Sequence, residues 1–125
     1  MANILIIDDD EQYPKMMAKI LKQEAHHNIV TATNGKEGLD LIKMQNFDLI
    51  ITDILMPDKD GIDLITDLLR AKSTVPIIAI SGGRNLITPE FNLSSAKTLG
   101  VKIFLKKPFT NEQLIEAVSN GLKNA

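Results

Sequence analysis

Four polar segments of this sequence carry side chains that could together bind a cation and a phosphoryl group. They are the acids at Asp8–Asp10, the acid at Asp53, the hydroxyl of Ser81 and the amine of Lys107. Carboxylates held close together repel one another and stay ionised most easily around a divalent cation. All-oxygen ligands favour Mg²⁺, Mn²⁺ or Ca²⁺ over zinc. A lysine and a hydroxyl opposite the cation would bind phosphoryl oxygens, and an aspartate between them could become an aspartyl-phosphate.

Each of these polar groups follows a short apolar run. The runs are Ile4–Ile7, Leu49–Thr52, Ile77–Ile80 and Ile103–Leu105. Runs of this kind are typical of strands that are buried on both faces, as in a parallel sheet. Because ligands of an open parallel sheet bind outside the carboxyl ends of its strands, we expect the polar groups to converge on one edge.

Helical patterns alternate with strand patterns along the chain. Asn34 with Glu37, and Thr110 with Gln113, have the spacing of capping boxes at helix starts. The alternation predicts βαβ units with right-handed crossovers, with five strands and five helices. The predicted strands are Ile4–Ile7, Asn28–Thr33, Phe47–Asp53, Pro76–Ser81 and Val101–Leu105.

Length and composition are those of one ordinary globular domain. The chain has 125 residues with a net charge of -2, which argues against nucleic-acid binding by bulk electrostatics. It has no cysteine, so disulfides are excluded. No apolar stretch approaches the roughly 18 residues that cross a bilayer, and the first residues lack a signal-peptide pattern. We expect a cytoplasmic protein with one domain over residues 1–125, no output domain, no direct contact with nucleic acid and no membrane association.

Several residues of suggestive type have simpler interpretations. Asp10 and Glu11 are expected only to cap the first helix, because acids favour helix N-termini. The adjacent His26 and His27 are expected to be exposed spacers at a helix end. The methionines at 16, 17 and 44 have helical spacing and are expected to lie in the core.

Taken together, the motifs resemble those of response-regulator receiver domains, the phospho-accepting modules of two-component signalling. The resemblance extends from Ile4 to about Leu122. It implies a flavodoxin-like, doubly wound α/β fold with a five-stranded parallel sheet in the order 2-1-3-4-5 and five helices. Its motifs are Ile4–Asp9, Asp53, Met56-Pro57, Asp60-Gly61, Ser81-Gly82, Gly100, Phe104 and Lys107–Phe109.

The resemblance also implies a role for each site residue. Asp53 would be the phosphorylated residue. Mg²⁺, with Mn²⁺ as a possible substitute, would be bound by Asp8, Asp9, Asp53 and the backbone carbonyl of Leu55. Lys107 would form an ion pair with the phosphoryl group.

A conformational switch is implied as well. Ser81 would hydrogen-bond a phosphoryl oxygen and move toward it, which vacates space for the switch aromatic, Phe104. The helix before Gly100, the last strand and the last helix would then present a different surface. The Lys107-Pro108 peptide bond would be cis.

The implied partners are a sensor histidine kinase or a histidine phosphotransfer protein as donor, and an unidentified downstream protein as target. The chain would be a monomer or a phosphorylation-dependent dimer. It would be a switch rather than an enzyme, apart from its own phosphorylation and dephosphorylation. A chemotaxis-type regulator, a phosphorelay shuttle and a receiver cut from a longer protein all stay open.

Two functions of other classes compete with this interpretation. A Mg²⁺-dependent phosphohydrolase would need an acid two residues after the nucleophile, where this chain has Leu55. A degenerate receiver that acts only as a binding module usually lacks one of the acids or the lysine. This chain has all of them.

Overall fold

The computed structural model describes residues 2–10, 12–53, 75–81, 101 and 103–123. The described elements are β1 (Asn3–Ile7), α1 (Gln12–Ala25), β2 (Asn28–Ala32), α2 (Gly35–Met44), β3 (Leu49–Asp53), β4 (Ile77–Ser81), β5 (Ile103–Lys106) and α3 (Asn111–Lys123). The two further helices predicted from the sequence, near residues 62–69 and 88–100, lie outside the described residues. None of the described helices is long and apolar enough to span a membrane.

The five strands form one parallel sheet in the order β2-β1-β3-β4-β5, which confirms the predicted order. Its register aligns the carboxyl ends of the strands. Ile7 pairs with Thr52, and Ser81 pairs with Lys106. Residues that directly follow these strands therefore meet along one edge, as the apolar runs predict.

Helices cover both faces of the sheet, and alternate residues of each strand enter two separate cores. Because the central strands are buried on both faces, they are apolar almost throughout. The core shared with α1 and α3 contains Ile4, Ile6, Met17, Leu21, Ile51, Ile78, Leu114 and Val118. The core on the side of α2 contains Leu5, Ile7, Ala32, Phe47 and Ile50.

α2 approaches β1 closely at Gly38. A Cβ atom on this residue would overlap Cδ1 of Ile7 and lie 2.8 Å from its Cγ1. Ile7 is fully buried and directly precedes Asp8. The close contact therefore fixes the end of β1 from which the acidic segment emerges.

Both predicted helix caps are present. The Glu37 N–H donates to Asn34 Oδ1 at 2.8 Å, at the start of α2. At the start of α3, the Gln113 N–H donates to Thr110 Oγ1 at 3.1 Å and the Thr110 N–H donates to Gln113 Oε1 at 2.8 Å. This reciprocal pair is a complete capping box, and it fixes α3 directly after the Lys107 segment.

The core prediction for the methionines is right for one of the three. Met17 is fully buried, but Met16 is 39% exposed and Met44 is 80% exposed. The buried stripe of α1 contains Pro14, Met17 and Leu21, so Met16 lies to one side of it. Met44 is the last residue of α2, beyond the reach of the core.

The two histidines differ, so the prediction that both are exposed spacers is wrong for His27. His26 is exposed and ends α1 with a φ of 53°. His27 is half-buried, and its Nδ1 accepts a hydrogen bond from the Ala2 N–H at 3.1 Å. Because Nδ1 acts as the acceptor, this contact requires the neutral imidazole.

Candidate functional site

Three acidic side chains lie close enough together to hold one cation. Carboxylate oxygens of Asp8, Asp9 and Asp53 lie within 4.8 Å of one another. Asp8 is 1% exposed and Asp53 is 6% exposed, whereas Asp9 is half-buried. Asp53 is the last residue of β3 and Asp8 follows the last residue of neighbouring β1, so the parallel register brings the two together.

Lys107 contributes a positive charge to this acidic cluster. Its Nζ lies 2.8 Å from Asp8 Oδ2 and 3.2 Å from Asp53 Oδ2, and its side chain is only 11% exposed. Both contacts are charge-assisted hydrogen bonds in partly desolvated surroundings. The ammonium thus bridges the ends of β1 and β3. The Lys107-Pro108 peptide bond is cis, as predicted.

The electrostatic environment of this pair is dominated by burial and by excess negative charge. Burial raises the pKa of the Asp8 carboxyl above its ordinary value, and the hydrogen bond from Lys107 offsets only part of this effect. Burial alone would lower the pKa of the Lys107 ammonium, but the Asp8 and Asp53 carboxylates outweigh it, so the pKa is raised. Both pKa values are raised, so the site favours the protonated form of Asp8 and of Lys107.

The donor set fits a hard divalent cation. Lys107 provides one positive charge against three carboxylates in the described part of the site. Carboxylate oxygens are the ligands of Mg²⁺, Mn²⁺ and Ca²⁺, whereas zinc favours nitrogen and sulfur. The acidic cluster could therefore hold a metal ion. Leu55, whose carbonyl was predicted to complete the metal shell, lies outside the described residues.

Asp10 has a separate, structural role. Its N–H donates to Asp8 Oδ1 at 2.9 Å, and its own Oδ1 accepts from the Gln12 N–H at 2.8 Å. Asp10 therefore caps α1, as the sequence predicts, and its N–H orients Asp8 at the same time. Glu11, the other predicted cap residue, lies outside the described residues. One oxygen of Asp8 is held by this backbone contact and the other faces Lys107.

The two predicted switch residues lie on adjacent strands. Ser81 ends β4 and its backbone pairs with Lys106, but its side chain lies outside the described part of the structure. Phe104 is half-buried in β5 and pairs with Ala79. The backbone thus brings Ser81 to the same edge as Asp53, and movement of either residue stays a prediction.

Sequence reasoning missed Tyr13. Lys107 Nζ lies 4.2 Å from the centroid of the Tyr13 ring. The ring also contacts Phe109, with centroids 5.7 Å apart and planes tilted by 49°. The available signal was weak: an aromatic residue five positions after Asp8, in the first turn of the helix that starts at the site.

Comparisons with known proteins agree with one another. The family model described as response regulator receiver domain matches residues 4–119. The response regulator SaeR of Staphylococcus aureus is 30% identical over 122 residues, which are 98% of this chain and 51% of SaeR. The chain thus spans about half the length of the curated relatives it matches.

Solved structures give the same result for the fold. The receiver domain of NtrX from Brucella abortus is similar with a TM-score of 0.87 at 27% identity, over 98% of this chain and 99% of that chain. The chemotaxis protein CheY4 of Vibrio cholerae is similar with a TM-score of 0.82 at 28% identity, again over 98% and 99%. These similarities and the sheet order confirm the predicted flavodoxin-like fold.

Proposed function

The chain belongs to the response regulator receiver domain family of two-component systems, and on that premise we propose that it accepts a phosphoryl group on Asp53. One observation carries the proposal. Lys107 lies between the buried carboxylates of Asp8 and Asp53 at the carboxyl edge of the sheet, beside Asp9. This arrangement offers a nucleophile, a fixed cation and an acidic cluster suited to a divalent cation.

The proposed reaction is transfer from a phosphohistidine. A carboxylate oxygen of Asp53 attacks phosphorus and the phosphorus–nitrogen bond of the donor breaks. The imidazole leaves with the bonding electron pair and takes up a proton. We propose Mg²⁺, with Mn²⁺ as a possible substitute, as the cation held by Asp8, Asp9, Asp53 and the Leu55 carbonyl. When bound, it would neutralise negative charge on the phosphoryl oxygens.

The remaining residues of the site act on the product. Lys107 Nζ lies 3.2 Å from Asp53 Oδ2, so a short movement would pair it with a phosphoryl oxygen. Phosphorylation adds roughly -1.5 to -2 charges and three strong acceptors at this position. We propose that Ser81 binds one acceptor and that Phe104 repacks. The face formed by β5, α3 and the helix predicted from the sequence before Gly100 would then change. This is a two-state equilibrium biased by a local charge.

The proposed donor is a sensor histidine kinase or a histidine phosphotransfer protein, and the proposed target is a further protein that recognises the switched face. The chain would act as a switch, monomeric or dimeric on phosphorylation, rather than as an enzyme with free substrates. Its relatives include a regulator of about twice its length and a chemotaxis protein of its own length. Action alone and action within a longer protein are both compatible with these comparisons.

Intact mass spectrometry after incubation with phosphoramidate tests the proposal. With Mg²⁺, one phosphoryl adduct is expected in the wild type and none in Asp53→Asn. Asp48→Asn is the matched control, because Asp48 directly precedes the opposite end of β3 and accepts the Asn3 N–H at 2.8 Å. It should be labelled like the wild type, and EDTA should abolish labelling of both.

Other outcomes would support the competing functions. An unlabelled wild type, under conditions that label an established receiver, would favour a phosphorylation-independent binding module. Continuous release of phosphate from a free ester would favour a phosphohydrolase.

A further inference from the structure

Tyr13 adds a contact to the site that the proposed phosphoryl chemistry does not use. Its ring centroid lies 4.2 Å from Lys107 Nζ, within the distance of about 6 Å at which an aromatic face attracts a cation. We propose that Tyr13 is a positioning residue that keeps the Lys107 ammonium beside Asp53 when a divalent cation is bound.

The need for such a residue follows from the other partners of Lys107. Its two carboxylate partners, Asp8 and Asp53, also belong to the acidic cluster that could hold the cation. A divalent cation would compete for these oxygens and would repel the ammonium. The Tyr13 ring is uncharged, and its attraction for the ammonium does not depend on the carboxylates. It would therefore retain Lys107 at the site while the carboxylates turn toward the metal.

The ring is fixed from both sides. Tyr13 is the second residue of α1, directly after Gln12, whose N–H is bound by the cap residue Asp10. On the other side, Phe109 contacts the ring with a centroid distance of 5.7 Å. Both aromatic residues are partly buried and pack against the core shared with α1 and α3. The ring is thus tied to the acidic segment by its helix and to the lysine segment by Phe109.

The contact can be tested without phosphorylation, by NMR of the Lys107 ε-methylene protons. A proton over an aromatic face is shifted upfield by the ring current. The wild type should show this shift relative to Tyr13→Leu, both without metal and with saturating Mg²⁺, and Tyr13→Phe should retain it. Lys107→Gln assigns the signal. Identical Lys107 shifts in wild type and Tyr13→Leu, or loss of the difference when Mg²⁺ is added, would overturn the proposal.

The kinetic consequence rests on the proposed function and is tested by a double-mutant cycle. Tyr13→Leu should slow labelling by phosphoramidate at saturating Mg²⁺ about 5-fold, the scale of a partly desolvated cation–π contact. Tyr13→Phe should restore most of the rate. In the Lys107→Gln background, Tyr13→Leu should change the remaining rate less than about 2-fold, because a residue that acts through Lys107 has no further effect there.

The cycle separates positioning from a general structural role. Equal slowing by Tyr13→Leu in both backgrounds would overturn the proposal, since it would mean that the ring acts independently of Lys107. Tyr13→Met is a second ringless variant if Tyr13→Leu does not fold. A wild type that is never labelled would overturn the proposed function instead, and the NMR comparison would still decide the contact.

Discussion

The ammonium of Lys107 lies 2.8 Å from Oδ2 of Asp8, a residue 99 positions earlier in the chain. The carboxylate is almost completely buried and the lysine side chain is nearly so. The contact therefore joins the first strand to the segment before the last helix through a desolvated pair of charges. The two partners are not equivalent. Removing the lysine leaves the buried Asp8 carboxylate without a positive charge beside it, whereas removing Asp8 leaves Lys107 paired with Asp53.

Lys107→Gln should make the metal-free protein less stable and more responsive to Mg²⁺. Without the ammonium, the buried Asp8 carboxylate loses its partner, and the free energy of unfolding should fall by about 3 kcal/mol. A metal ion can replace the positive charge of the missing ammonium. Mg²⁺ should therefore bind more tightly to the variant than to the wild type, and it should recover more stability there. Urea unfolding with and without Mg²⁺ measures both effects.

Lys106→Gln is the control for this prediction, because Lys106 is the exposed neighbour of Lys107. It should change the free energy of unfolding and the Mg²⁺ response much less than Lys107→Gln does, because charge contacts of an exposed lysine contribute little. Equal behaviour of the two variants would contradict a special role for the Lys107 charge.

The stability should depend on pH through His27. Burial lowers the pKa of this imidazole, and its Nδ1 accepts the Ala2 N–H. The unfolded chain then binds a proton at His27 more tightly than the folded chain does. This contribution to stability is present above about pH 6.5 and is lost as the pH falls through the lowered value.

Urea unfolding at pH 7.5 and pH 5.5 tests the histidine prediction. His27→Asn should lose less stability on acidification than the wild type, because its amide oxygen can still accept the Ala2 N–H without titrating. His26→Asn is the matched control, since His26 is exposed and asparagine tolerates its φ of 53°. His26→Asn should keep the pH response of the wild type. A weaker pH response in His26→Asn than in His27→Asn would refute the assignment of this response to His27.

Two helical glycines should respond differently to alanine. At Gly38, a Cβ atom would overlap Cδ1 of the fully buried Ile7 and lie 2.8 Å from its Cγ1, so two consecutive atoms of that side chain would have to shift. Gly38→Ala should therefore lower the free energy of unfolding by about 1–2 kcal/mol, despite the better helix propensity of alanine.

Gly121→Ala is the comparison for Gly38→Ala. Its Cβ atom would be too close to one atom only, the end atom Cδ1 of Leu49 at 2.8 Å, and the next atom, Cδ1 of Ile103, lies at 3.6 Å. The gain in helix propensity, about 1 kcal/mol, should roughly offset that adjustment. Equal destabilisation by both substitutions, measured by urea unfolding, would argue against the close packing of α2 on β1.

The Asp10 side chain should contribute to the free energy of unfolding and not to the phosphorylation reaction. Asp10→Ala removes the cap from α1 and should cost about 1 kcal/mol, and Asp10→Ser should recover most of it. Labelling by phosphoramidate should keep its Mg²⁺ dependence in both variants. Loss of that dependence in Asp10→Ser would instead make Asp10 a metal ligand.

The sequence predicts the sheet well for a physical reason. Strands β1 and β3 are buried on both faces, so Ile4–Ile7 and Leu49–Ile51 are continuously apolar and easy to recognise. The ends of the strands are harder to predict from the sequence than their centres. β3 was predicted from Phe47, but Asp48 directs both its carboxylate and its N–H to the backbone of Asn3 and so precedes the strand.

The candidate site is partly predictable from the sequence. Asp8 and Asp53 are found because each stands at the end of an apolar strand. The parallel register then brings the two strand ends together. The contact between Tyr13 and Lys107 has no such signal, since the residues lie on different elements and neither alone indicates the other. The half-buried position of His27 was missed for the same reason, because it depends on where the N-terminal residues pass.

Whether Asp53 accepts the phosphoryl group can be decided by locating the group chemically. The protein is labelled with phosphoramidate and Mg²⁺, reduced with borohydride, which converts an aspartyl-phosphate to homoserine, and digested with trypsin. Fragmentation of the peptide from Met44 to Lys59 should place homoserine at residue 53. Homoserine at 48 or 58, or a phosphoryl group on His26 or His27, would show that Asp53 is not the acceptor.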